Sequence, residues 1–103
     1  MTTTAQADKT GAPTTVSRES DRFTIAVDGR RVGFAEFTDA GGRRTFPHTV
    51  VDDAFQGRGL ATILVAAALE ATRADGLRIV APCSMVANYL QKSGEYDDLV
   101  DPA

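Results

Sequence analysis

The chain has one cysteine, Cys83, and one histidine, His48, among 103 residues. A single cysteine excludes an internal disulfide and a multi-cysteine zinc site, so no metal is expected. A single histidine leaves few groups that titrate near neutrality, which makes any list of catalysts short. No stretch approaches the length of a membrane span, so no membrane partner is expected. Residues 1–20 lack the continuous apolar run of an export signal. A soluble, cytoplasmic protein is the default expectation. There is no basic excess either. The formal charge is −3, which weighs against a nucleic-acid partner. Residues 1–20 also lack large apolar side chains other than Met1 and Val16. Such a segment buries too little to offset its ordering entropy. It reads as a disordered tail, and the domain is expected over residues 21–103.

What is present is unevenly placed. Arg30, Arg31, Arg43, Arg44 and Arg58 lie mid-chain, and Glu95, Asp97, Asp98 and Asp101 lie near the end. A basic middle can attract an anion, and it can equally be a solvated strand face. Phe23, Ile25 and Val27 alternate through Arg22–Val27, the pattern of a half-buried strand. Asp28-Gly29 then marks a hairpin turn, followed by a returning strand over residues 31–38. Ala40-Gly41-Gly42 is a second turn, and Arg43–Val51 a third strand. Pro47 cannot donate to a ladder, so it predicts a bulge or an edge position. From Gly59 the apolar residues Leu60, Ile63, Leu64, Ala67, Ala68 and Ala71 recur at helical spacing. Residues 77–81 suit a central strand. Ser84 is a plausible N-cap for a second helix to about Lys92. The expected fold is α+β: an antiparallel three-strand meander, helix, strand, helix, giving a mixed sheet packed by two helices.

The informative stretch is residues 50–61, a strand, a loop with Gly57 and Gly59, then a helix. It gathers unpaired N–H groups and the positive end of a helix dipole into one space, a ready site for phosphate oxygens. The lysine that a P-loop needs is absent after Gly59, and a dinucleotide fingerprint needs a parallel βαβ unit. Gln56, Gly59 and Ala61 remain, as Gln-x-x-Gly-x-Ala.

At these residues the sequence resembles the GNAT superfamily of N-acetyltransferases, within a short single-domain subgroup. Further matches are His48-Thr49-Val50-Val51 before the loop, Pro82-Cys83 after the helix and Tyr89 in the next helix. The subgroup's final His-Pro-Glu-Tyr reads Ser93-Gly94-Glu95-Tyr96 here. The resemblance implies acetyl-CoA as co-substrate. Its pyrophosphate would lie on Gln56, Gly57, Arg58, Gly59, Leu60 and Ala61. Its pantetheine arm would run along Thr49, Val50 and Val51, with Tyr89 near the thiol end. Cys83 and His48 become the catalytic candidates, His48 as base and Cys83 as the acid that protonates the leaving thiolate, or as a nucleophile. A buried structural cysteine and a structural histidine are the plain alternatives. Larger members place acceptor-gripping helices between their first strands. The tight turns here leave no room for them, so the acceptor site is open or built by a partner. The expected function is acetyl transfer to an amine, such as a protein lysine or a polyamine. The alternative is a non-catalytic acetyl-CoA-binding or protein-interaction module of the same fold.

Overall fold

A computed structural model describes residues 4–7 (backbone only), 11–55, 57 and 59–101. Seven strands form one sheet in sequence order. Strands β1 (Thr4–Ala7), β2 (Pro13–Arg18), β3 (Arg22–Val27), β4 (Arg30–Ala40) and β5 (Arg43–Val51) pair antiparallel. Helix α1 (Leu60–Ala74) then carries the chain back to β6 (Arg78–Val80), parallel to β5. Helix α2 (Ser84–Ser93) leads to β7 (Val100–Asp101), parallel to β6. The two helices contact each other and both pack against the sheet. Right-handed crossovers advancing in one direction put both helices on one face.

The expected meander, helix, strand and helix are all present, and the tight turns leave no helix between β3, β4 and β5. The bulge at Pro47 is present too. Glu36 pairs with His48 and Thr38 with Thr45, so Phe46 and Pro47 together oppose Phe37. Proline fits there because the extra residue has no ladder bond to donate.

The N-terminal expectation is corrected. β2 is a full strand of the sheet, with Val16 opposite Ile25 and Thr14 opposite Val27. Val16 and Thr14 are buried. The composition argument looked for large apolar residues, whereas Thr and Val in alternation suffice for a strand laid on a formed sheet. Arg18 adds an ion pair to Asp75 at 2.7 Å. Residues 1–3 and 8–10 of the expected tail lie outside the described residues. A second correction concerns α2, whose N-cap is Cys83, with Ser84 the first helical residue.

Along β3, β4 and β5, Phe23, Ile25, Ala35, Phe37, Phe46 and Val51 point to the helices and join Leu64, Leu69 and Ile79 in the core. Gly33 is fixed by close approach. A Cβ there would meet the Val50 carbonyl oxygen at 2.7 Å. Arg44 is buried to 1% exposure among these apolar residues. Its guanidinium meets Asp39 at 2.8 Å and Asp75 at 3.0 Å, and lies over the Phe37 ring at 4.5 Å.

Ion pairs hold the strand ends. Asp101 takes Arg78 at 2.7 Å and Arg43 at 3.0 Å. Its carboxyl sits below the usual range because Arg78 hydrogen-bonds it. Burial pushes the Asp75 carboxyl up, but Arg18 and Arg44 outweigh it and hold it low as well. A depressed folded-state pKa contributes stability above the unfolded value of about 3.9, lost as pH falls through the folded one. Thermal melts from pH 6 to pH 3 should therefore be flat at first and fall below about pH 4. Asp101→Asn should make that acid fall shallower, and an unchanged profile would remove Asp101 from the account.

Candidate functional site

The β5–β6 ladder is short. It joins Arg43, Arg44 and Thr45 to Arg78, Ile79 and Val80. β5 continues to Val51, but the other chain turns away at Pro82, which has no N–H to give. One further bond links the two, from the Cys83 N–H to the Phe46 carbonyl at 3.2 Å. The sheet thus splays beside the second half of β5.

Cys83 sits in that opening. Its Sγ is 3.5 Å from the Thr49 hydroxyl oxygen. Burial pushes the thiol pKa up. Hydrogen bonding with the Thr49 side chain and with the backbone of Val86, Met85 and Thr49 outweighs it and holds the thiol below its ordinary value. A cysteine at a helix N-terminus is stabilised as thiolate in this way.

The loop after β5 is tied back to the sheet. Asp52 N–H donates to the Val32 carbonyl at 2.8 Å, and a 3-10 turn follows over Asp53–Phe55. Gly57 is exposed with φ 80°. Gly59 is the N-cap of α1 with φ 78°, and no side chain caps the helix. A residue with a Cβ is strained at that φ. The first turn of α1 holds no acidic residue. Its leading N–H groups and dipole give that end a partial positive charge.

From that end a groove of about 530 Å³ runs between the helices. Ala61, Thr62 and Val65 line one wall, and Met85, Tyr89 and Lys92 the other. Residues four apart on α2 share a face, which places Met85 and Tyr89 in one row. Met85 is two residues beyond Cys83, so that wall of the groove begins at the start of α2.

The chain matches the family model for GCN5-related N-acetyltransferases over residues 22–99. It belongs to that family. No curated protein matches it significantly. Among solved structures, a GCN5-like protein of Staphylococcus aureus, determined by NMR, has the same fold. It is 23% identical, with 85% of this chain and 88% of that chain covered and a TM-score of 0.67. The family uses acetyl-CoA as co-substrate. Among the described residues no cluster of His, Cys, Asp and Glu is suited to a metal, and no helix is long and apolar enough to cross a membrane.

Several expected site residues of this GCN5-related chain come together. Gly57, Gly59 and Ala61 lie at the helix end, Tyr89 lines the groove, and Thr49 touches Cys83. Leu60 is buried in the core, so only its backbone is available to a ligand. Val51 is buried toward the helices, while Val50 points to the opposite face and is half-buried. Gln56 and Arg58 lie outside the described residues. His48 and Cys83 do not share a face. His48 is exposed on the side away from the helices, its ring 6.2 Å from that of Phe34. Thr62, Met85 and Lys92 were missed in the sequence. The usable signal was the four-residue spacing of Met85 and Tyr89, which puts them on one face of α2.

Proposed function

We propose that this chain binds acetyl-CoA and transfers its acetyl group to an amine. The observation that carries the reading is an interhelical groove that begins at the first turn of α1, whose Gly59 cap has no side-chain hydrogen bond, and that is lined by Met85, two residues beyond the Cys83 thiol. The pyrophosphate oxygens would accept hydrogen bonds from N–H groups at the start of α1. The pantetheine arm would follow Tyr89 and Met85 toward Thr49.

The chemistry then needs a neutral amine, a stabilised thioester oxygen and a protonated leaving group. The amine nitrogen attacks the thioester carbon and the C–S bond breaks. The proton lost by the amine goes to a base, and the coenzyme thiolate gains one. Cys83 is the proposed donor to that thiolate, since its sulfur sits in the splay and its lowered pKa favours release. His48 is the proposed base. It stands on the open face, where an acceptor approaches without crossing the helices. The acceptor is an exposed amine, because tight turns occupy the place of enclosing helices.

Cys83→Ala should reduce acetyl transfer by about 100-fold, the low side of what a general acid contributes. Its coenzyme affinity should stay within about twofold of wild type, since the phosphates bind elsewhere. Release of free thiol over a panel of amines reads the first, and calorimetry the second. Wild-type turnover in this variant would remove Cys83 from the mechanism, and the same test applies to His48→Ala. Coenzyme binding with no turnover on any acceptor would favour the non-catalytic alternative.

A further inference from the structure

Arg30 opens β4 at the β3–β4 turn, fully in solvent. Among the described residues it has no carboxylate partner. Every other described arginine makes an ion pair. Arg31, its immediate neighbour, reaches Glu19 at 2.8 Å. Asp28, Asp52 and Asp53 are close in sequence or along the loop and exposed, yet none of them pairs with Arg30. Instead its guanidinium lies over the Phe55 ring, 5.7 Å from the centroid. Phe55 closes the 3-10 turn that leads directly into the glycine loop. The β3–β4 turn is therefore held against the base of that loop, and it presents an uncompensated positive charge there.

Resting on the acetyl-CoA reading above, we infer that Arg30 is a further coenzyme-binding residue, the cation that faces the pyrophosphate. The backbone N–H groups of the loop supply geometry and partial charge. Arg30 supplies a full charge from a separate strand, anchored by its contact with Phe55. A planar guanidinium suits phosphate oxygens, and stacking on the ring reduces the freedom it loses on engaging them. The other described cation without an ion pair is Lys92, which lines the groove. The unneutralised cations thus flank the proposed coenzyme path, whereas the rest of the described basic surface is neutralised.

The test is calorimetric titration of coenzyme A and of 3′-dephospho-coenzyme A into the full chain, at low and high salt. The variants are Arg30→Gln, Arg30→Lys and Arg31→Gln. Arg30→Gln should weaken both ligands by about fivefold at low salt, the scale of one exposed ion pair, and the difference should shrink at high salt. Arg30→Lys keeps the charge but not the planar stacking and should recover part of the affinity, and Arg31→Gln should bind as wild type does. A structural role alone would not give the salt dependence. Wild-type affinity and salt slope in Arg30→Gln would overturn the inference while leaving the coenzyme reading intact. A loss confined to coenzyme A would overturn the pyrophosphate assignment. No binding by the wild type would overturn the inference and the reading together.

Discussion

Gly59→Glu should abolish the proposed coenzyme binding, with an expected loss of at least about 100-fold, or roughly 2.7 kcal/mol. Two effects add. Gly59 has φ 78° at the N-cap of α1, so any side chain there is strained by about 1–2 kcal/mol. The new carboxylate would also occupy the space at the helix N-terminus where the phosphates are proposed to sit. It is attracted to the dipole that the ligand needs and repels the ligand itself. The same attraction helps the variant to fold, so the loss is local. Gly59→Ala carries the strain without the charge and should lose only a few-fold in affinity. Equal losses in the two variants would show that backbone geometry alone, not the anion site, governs binding.

Arg44→Ala destabilises the fold by about 2–4 kcal/mol, the consequence of breaking a buried ion pair. For a chain of this size that lowers Tm by about 10 °C or more. Arg44 is the most deeply buried charge described, at 1% exposure, with its guanidinium on Asp39 and Asp75. Truncation leaves a cavity beside Phe37, removes the guanidinium from Asp39 and leaves Asp75 with Arg18 alone. Asp39 and Asp75 are themselves 39% and 34% exposed. They can rehydrate, which keeps the effect below that of a fully enclosed pair. Arg44→Met refills the cavity and should recover part of the loss. Thermal melts of the three proteins decide it, and an Arg44→Ala variant as stable as wild type would contradict the account of the core.

Local patterns were the legible part of the fold. Alternation marked β3, turn dipeptides fixed the hairpins, and the 3.6-residue period marked α1 because each is a property of consecutive residues. Pro47 announced its bulge through the missing donor. β2 was missed because Thr14 and Val16 are buried by the sheet they join rather than by their own hydrophobicity. β7 was missed because it is two residues long and its Asp101 is held by long-range ion pairs to Arg43 and Arg78. Glycine spacing likewise made the proposed phosphate loop visible. The groove was not visible, since its two walls come from helices that no local pattern pairs. Nor was the separation of His48 from Cys83. A bulge at Phe46–Pro47 resets which residues of β5 face the helices, and its register appears only once β4 is paired.

The central claim is tested most directly by titrating acetyl-CoA into the purified wild-type chain in a calorimeter. The account predicts saturable binding of one acetyl-CoA per chain, lost in Gly59→Glu while that variant remains folded. A well-folded wild type that takes up no acetyl-CoA would contradict it.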